Sequence, residues 1–393
     1  MIYIATSNLK PGMKLAREVW GASSFLPLLH SQNILTAKNI EDLAQRNVAG
    51  AYIELLGTED TEQPEEIFTV EQKIHLTSEI KDITKNLYSS KGNIFASVKA
   101  FDKIADYMAS VILENKDCML NLVEIKNYDD YAYVHSMQVG ITATIIGKKM
   151  ELSETNLKSL ALAGMLHDVG KLKISKEILD KPSRLTEEEF VKMKKHPAFA
   201  YQKLSQCPGI SNVVLDAVAC HHEKYDGSGY PYSLAGEDIP VFARIISIAD
   251  VYDALTSPRT YRGAWEPHEA VNYMMSRAGT QFDTEILSTF LSCIAAYPIG
   301  VVVELDQGDV GVVVAANAGF PLNPVVKLLS PIEKYGQTID LANDRDALTR
   351  SIISTIKDAD MIAEIFNNSA RVGQLPADSA SVGQLPADNA SVG

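Results

Sequence analysis

The chain has 393 residues, of which 46% are hydrophobic and 22% are charged, and its formal net charge is −14. This length predicts two or three domains rather than one small core. The acidic balance argues against a binder of polymeric nucleic acid, which needs a basic surface, but is compatible with a small anionic ligand.

The four cysteines are scattered without a close C-x-x-C pair, a pattern typical of reduced thiols in a cytoplasmic protein. The N-terminus lacks the basic region and apolar core of a signal peptide. No uninterrupted apolar stretch is long enough for a membrane span. We therefore expect a cytoplasmic protein without a membrane-spanning segment.

Residues 1–60 are predicted to form a small α/β accessory module. Residues 2–5 and 51–56 have the pattern of strands, and Thr36 is predicted to cap a short helix that ends near residue 43. Residues 61–115 are predicted to be a linker followed by amphipathic connecting helices. A homodimer formed through those helices remains open.

The most informative stretch is Leu-His-Asp-Val-Gly-Lys at 166–171, which follows an apolar helical run over 157–165. An adjacent His and Asp on a buried helix need a cation or a partner charge to offset their desolvation. Imidazole nitrogen and carboxylate oxygen are also preferred ligands of mid-series divalent metals. Taken alone, the pair is more simply explained as a core histidine bonded to its own aspartate.

The positions of the other histidines change that interpretation. Five of the eight lie between residues 135 and 222, each in a context suited to facing inward. His135 lies on an apolar strip of a predicted helix, His196 precedes a proline at a helix start, and His221 continues an apolar helical stripe. Asp250 lies within another apolar helical run. Such a set can hold two divalent cations with open positions for water. A structural zinc site, the closest rival, would favour cysteine and need only four ligands.

These motifs resemble the HD-GYP family, cyclic di-GMP phosphodiesterases within the HD hydrolase superfamily. The resemblance covers about residues 120–290 and rests on the His167-Asp168 motif, His196-Pro197, the run 221–231 from His-His-Glu to Gly-Tyr-Pro, and the run 243–256. It implies a mainly α fold: an HD-type helical bundle over 116–295, with the small N-terminal α/β module before it and a small C-terminal β module after it.

The resemblance also implies roles for particular residues. The metal ligands would be His135, His167, Asp168, His196, His221, His222 and Asp250, with Asp168 bridging two metals. Lys171 would assist the scissile phosphate, and Arg259 and Arg262 would face substrate phosphates, although ordinary surface charge explains these two arginines equally well. Some members carry a glutamate that helps hold a third metal where this chain has Tyr131. This departure favours two metals, and leaves His135 either a weak ligand or a neighbour of the ligands.

The resemblance implies an enzyme of bacterial signalling that uses iron or manganese as its metal cofactor. A hydroxide that bridges two divalent metals would attack phosphorus in cyclic di-GMP, giving pGpG or GMP, with Asp168 and Lys171 as catalytic residues. One alternative is a non-catalytic cyclic-dinucleotide receptor that docks on diguanylate cyclases (GGDEF proteins) through the Gly-Tyr-Pro loop. Others are an HD hydrolase acting on another nucleotide, such as cyclic GMP-AMP, and a di-iron oxygenase.

Beyond residue 295 the pattern becomes β-rich, with apolar runs at 300–305, 310–314 and 325–329 that predict a small β module over 296–345. Residues 346–393 are predicted to contain a helix and a low-complexity tail. Within that tail the ten-residue stretch 372–381 recurs with one change at 382–391. Two such units are too few for a solenoid, and their composition favours disorder.

Overall fold

The computed structural model describes residues 1–21, 26–46, 48–56, 58, 66–89, 92–115, 131–181, 183–257, 264–345, 349–357 and 359–372. Arg259, Arg262, most of the predicted linker and the repeated tail lie outside these residues. Among the described helices, none combines the length and the apolar character needed to cross a lipid bilayer.

The described helices are α1 Ala37–Gln45, α2 Val70–Tyr88, α3 Ile94–Glu114, α4 Tyr131–Lys149, α5 Glu154–Leu166, α6 Lys176–Leu179, α7 Glu187–Met193, α8 His196–Leu204, α9 Asn212–Cys220, α10 Val241–Thr256, α11 Pro267–Met275, α12 Thr284–Leu291 and α13 Ala359–Val372. The described strands are β1 Ile2–Ala5, β2 Val19–Trp20, β3 Pro27–Leu29, β4 Gly50–Ile53, β5 Val302–Leu305, β6 Val310–Ala315, β7 Val325–Ser330, β8 Thr338–Asp340 and β9 Ile352–Thr355. The prediction of a mainly α protein with small β-containing ends is confirmed.

Two glycines bring α4 and α5 into backbone contact at the centre of the bundle. A Cβ on Gly164 would lie 2.8 Å from the Cα of Gly140, closer than real Cβ atoms approach. Glycine is therefore required for this approach. It sets the His135 and His167 rings side by side, with centroids 5.1 Å apart.

A third glycine fixes the turn after α5. Val169–Lys173 forms a short 3₁₀ helix directly after the His-Asp pair. A Cβ on Gly170 would lie 1.9 Å from the backbone oxygen of His196, so the turn rests against the start of α8. This contact brings Asp168 to the beginning of the helix that carries His196.

The C-terminal strands form one antiparallel sheet in the order β8-β7-β6-β5-β9. The sheet continues past the predicted limit at residue 345, because β9 pairs with β5. Alternate residues face two cores: Val303 and Val313 pack on the helical bundle, whereas Val302 and Val312 face the other side. Burial on both faces explains why these strands are apolar at nearly every position.

The second core is built from both ends of the chain. Side chains from β1, α1 and β4 pack with Val302, Val312, Ile362 and others from the sheet and α13. The Tyr3 backbone N–H also donates to the carbonyl of Gly300 over 2.7 Å. We call the described parts of 1–58 and 300–372 the terminal module. The sequence predicted Thr36 as the cap of α1, which the structure confirms, but treated the two ends as separate modules.

Candidate metal centre

The structure brings together seven side chains from five helices or their ends. They are His135 on α4, His167 and Asp168 after α5, His196 on α8, His221 and His222 after α9, and Asp250 on α10. They form two groups, and within each group one ligand atom per residue lies within 4.8 Å of the others. The first group is Asp168, His196, His221 and His222; the second is His135, His167 and Asp250.

Asp168 lies between the two groups. Its Oδ1 is 3.2 Å from Nε2 of His196 in the first group. Its Oδ2 is 3.3 Å from Nε2 of His167 and 3.5 Å from Nε2 of His135 in the second. One carboxylate is therefore placed to contact two cations at once.

Helix ends orient three of the histidines. His167, His196 and His221 each donate Nδ1–H to the backbone carbonyl three residues earlier, over 2.7–2.8 Å. The last carbonyls of a helix lack partners within it, so they are available as acceptors. Because a carbonyl only accepts, Nδ1 carries the proton and Nε2 presents its lone pair to the centre.

His135 is held by acids instead. Its Nδ1 lies 2.7 Å from Oδ2 of Asp253, and its Nε2 lies 3.2 Å from Oδ1 of Asp250. Burial disfavours the charged imidazole, but hydrogen bonds to the acids, Asp168 among them, raise the pKa of His135 well above its usual value. Asp253 is not among the site residues that the sequence predicts. Its position one helical turn after Asp250 was the signal that could have identified it.

Electrostatics keep the other groups in the forms that bind metals. Burial, assisted by neighbouring imidazoles, holds the pKa of His221 well below its usual value. Burial also lowers the pKa of His222 to about 3. For Asp168 burial has the opposite effect, but the charge of Lys171 and the neighbouring imidazole of His167 hold the pKa well below its usual value. Neutral imidazoles and ionised carboxylates are the ligand forms of these side chains.

Four atoms indicate that cations would complete this arrangement. Among the described residues, His167 Nε2 and Asp168 Oδ1 are buried without a hydrogen-bond partner. His196 Nε2 and His221 Nε2 lie 3.3 Å apart, and since both rings are protonated at Nδ1, their lone pairs face each other. A cation satisfies all of these atoms, whereas a purely protein environment leaves them unpaired. The mixed N/O set fits divalent metal ions.

Lys171 lies at the mouth of the centre. Its Nζ donates to Oδ2 of Asp168, and its side chain is 37% exposed. Burial of the ammonium group is opposed by the charges of Asp168 and Asp250, which together raise the pKa of Lys171. The result is a positive charge that contacts both the candidate metal-binding carboxylate of Asp168 and solvent.

The Gly-Tyr-Pro loop forms one wall of the centre, which the sequence did not predict. The Tyr230 ring stacks on the His222 ring, with centroids 4.8 Å apart. Glu223, which is buried, accepts backbone N–H groups of Tyr232 and Leu234 over 2.6 and 3.2 Å. These bonds anchor the loop directly beside the candidate metal-binding histidines.

All seven predicted ligands and Lys171 therefore meet in one place. Arg259 and Arg262 lie outside the described residues, so their predicted phosphate-binding role stays a prediction.

A family model described as an HD domain matches residues 118–286. The chain is 36% identical over 254 residues to cyclic di-GMP phosphodiesterase PA4108 of Pseudomonas aeruginosa, covering 64% of this chain and 61% of that protein. It is 41% identical over 153 residues to the cyclic di-GMP phosphodiesterase response regulator RpfG of Xanthomonas campestris pv. campestris, covering 38% of this chain and 40% of that protein.

A third relative is named for a different substrate. The chain is 39% identical over 156 residues to 3'3'-cGAMP-specific phosphodiesterase 1 of Vibrio cholerae, covering 40% of this chain and 36% of that protein. In these three comparisons the chain spans less than two thirds of the length of the relative that it matches.

Proposed function

The chain belongs to the HD-GYP family, and on this premise we propose that it is a metal-dependent phosphodiesterase that hydrolyses cyclic di-GMP. The observation that carries the proposal is the position of Asp168 between two groups of metal-binding side chains, with Lys171 bonded to it. That combination suits attack on a phosphodiester, because it joins a site for two cations to a separate positive charge.

In this proposal Asp168, His196, His221 and His222 hold one cation, and His135, His167, Asp250 and the shared Asp168 hold the other. When bound, two divalent cations supply hydroxide at neutral pH and offset charge on phosphoryl oxygens. The protein's own contribution is to orient the imidazoles through carbonyl bonds and to keep the carboxylates ionised.

Lys171 is proposed to stabilise negative charge on the substrate. Its ammonium group offsets the charge that develops on the phosphoryl oxygens and on the departing 3′ oxygen. Opening one phosphodiester bond of the cyclic dinucleotide yields linear pGpG, and a second hydrolysis yields GMP. Arg259 and Arg262 are proposed to contact the substrate phosphates, on the strength of the family resemblance alone.

The proposed metals are iron or manganese. The candidate centre combines five imidazoles with two carboxylates, and it has no cysteine among its ligand groups. Mixed nitrogen and oxygen ligation suits both of these metals. The three described cysteines are buried thiols with no disulfide, which agrees with the expected reducing compartment.

A second candidate function is hydrolysis of cyclic GMP-AMP. It is favoured by the relative in Vibrio cholerae that is named as specific for 3'3'-cGAMP. The two substrates share the phosphodiester chemistry and differ in one base, so the metal-binding residues do not distinguish them. A non-catalytic receptor is less favoured, because the ligand set and Lys171 are both present.

Diguanylate cyclases remain proposed partners through the Gly-Tyr-Pro loop. Tyr232 next to the motif is 57% exposed and is available for docking, whereas Tyr230 packs inward on His222. A homodimer is a further proposal, for which the amphipathic helices α2 and α3 are the candidate surface.

The test is a turnover assay on protein purified without air and analysed for metal. We expect about two equivalents of iron or manganese per chain and release of pGpG or GMP from cyclic di-GMP. A parallel assay with 3'3'-cGAMP identifies the preferred dinucleotide. Metal-loaded protein that binds cyclic di-GMP but leaves both nucleotides intact would favour the receptor instead.

A further inference from the structure

Tyr131 has a buried polar atom to which the proposed phosphodiesterase chemistry assigns no role. It is the first residue of α4 and lies one turn before His135, and its ring stacks on the imidazole with 5.7 Å between centroids and 13° between planes. Its hydroxyl oxygen is buried and has no hydrogen-bond partner in the described part of the chain. Leaving a buried hydroxyl unpaired costs about 1–3 kcal/mol. Such a group in a native structure needs an explanation, and a catalytic role or a bound group is one of them.

The surroundings of this hydroxyl are those of the candidate centre. The Tyr131 ring stacks on His135, a member of the centre, and Tyr131 is near enough to Lys171 to contribute to the raised pKa of that ammonium group. Two further buried atoms without partners, on His167 and Asp168, belong to the same centre. In the described residues other such atoms lie elsewhere, on Arg244, Tyr252, His268 and Arg350. The Tyr131 hydroxyl is thus one of three buried, unpartnered polar atoms at or beside the candidate centre.

The chemistry of the neighbours defines that group. A phenol hydroxyl donates one hydrogen bond, and an ammonium group donates up to three. A tyrosine and a lysine beside the same centre are both satisfied by an anionic oxygen, whereas a metal cation offers neither donor an acceptor. A phosphodiester carries two non-bridging oxygens of this kind. The stack on His135 fixes the phenol ring, so the donor is already in position before substrate arrives.

We propose that Tyr131 is a catalytic residue whose hydroxyl donates a hydrogen bond to a non-bridging oxygen of the phosphoryl group under attack, beside Lys171. This inference rests on the proposed phosphodiesterase function. The hydroxyl keeps its proton throughout and forms no covalent bond. Its contribution is to stabilise negative charge as the phosphoryl oxygens gain it in the transition state.

The first test makes the same change, tyrosine to phenylalanine, at two positions. Tyr131→Phe removes the hydroxyl and keeps the ring that stacks on His135. Tyr252→Phe is the matched control, because Tyr252 also has a buried unpaired hydroxyl but packs on Phe290 within the helical core. We expect kcat to fall about 10- to 100-fold in Tyr131→Phe with unchanged metal content, and to stay near the wild-type value in Tyr252→Phe. Wild-type kcat in Tyr131→Phe, or loss of its metal, overturns the inference.

A second measurement separates this inference from the proposed function. Inorganic phosphate is titrated calorimetrically into manganese-loaded wild-type protein and into both variants. One lost hydrogen bond to the anion weakens phosphate binding about 3- to 10-fold in Tyr131→Phe alone. Absence of wild-type turnover on both dinucleotides contradicts the proposed function, and the phosphate affinities still decide whether Tyr131 contacts an anion. Equal affinities in wild type and Tyr131→Phe overturn that contact.

Discussion

The metal centre and the terminal module both join distant parts of the chain, but by opposite physical means. The centre gathers imidazoles and carboxylates whose desolvation is unfavourable until cations are bound. The terminal module joins the two ends of the chain by burying aliphatic side chains such as Ile53, Leu329 and Ile365. The first region would therefore gain stability from a bound ligand, whereas the second is stabilised by contacts within the protein.

The largest effect is expected from a substitution that disrupts the metal centre and leaves the terminal module intact. Asp168→Ala removes the carboxylate that lies between the two ligand groups, so metal content and turnover should both collapse, turnover by about 10³-fold or more. Metal analysis and the cyclic di-GMP assay measure this. Asp216→Ala, an exposed aspartate on α9, is the control. Full turnover in Asp168→Ala would contradict the proposed mechanism.

The reverse experiment damages the terminal module. Ile53 is fully buried in the second core, and Ile53→Ala should lower the free energy of unfolding by about 2–5 kcal/mol through the cavity it leaves. Ile353→Ala, at a position that is 58% exposed on β9, should change it by less than about 0.5 kcal/mol. Denaturant unfolding gives both values. If Ile53→Ala also lost its metal, the two regions would not be independent.

The terminal module also contains an ion cluster in which the Asp309 carboxylate is buried. Asp309 accepts from Arg350 over 2.6 Å and from Lys334 over 2.9 Å. Burial alone would raise the pKa of Asp309, but these two cations hold it below its usual value. A lowered carboxylate pKa stabilises the fold above the unfolded value of about 3.9, and that stability is lost as pH falls through the folded pKa.

Asp309→Asn should therefore destabilise the protein by about 3 kcal/mol near neutral pH, the scale for breaking a buried ion pair. The difference from wild type should shrink as the pH falls below about 4. Unfolding measured across this pH range tests the sign. A difference that stays constant with pH would show that the charge of Asp309 does not contribute.

The smallest expected effect concerns the support of a metal ligand. Asp253→Asn replaces the carboxylate that contacts His135 Nδ1 by a neutral group of the same shape, so metal affinity should fall about tenfold while the fold is kept. Competition with a chromophoric chelator measures the affinity. Asp238→Asn, at an exposed position, is the control. Unchanged affinity would mean that Asp253 only packs against the ring.

Much of the fold was predictable because its signals are local. Thr36 predicts the start of α1, and the apolar runs near 302, 310 and 325 predict β5, β6 and β7. Their burial on two faces was not predictable. An apolar run shows that a strand is buried, but not which distant segment covers it, and here β1, α1 and β4 cover one face.

By itself the sequence determined which side chains could bind metal, because residue type and motif spacing are properties of the chain. Only the tertiary structure decided that Asp168 lies between the two groups and that Asp253 and Tyr131 flank His135. Those positions depend on backbone contacts such as Gly140 with Gly164 and Gly170 with His196. Contacts of this kind join residues far apart in the chain, and no periodic pattern in the sequence predicts them.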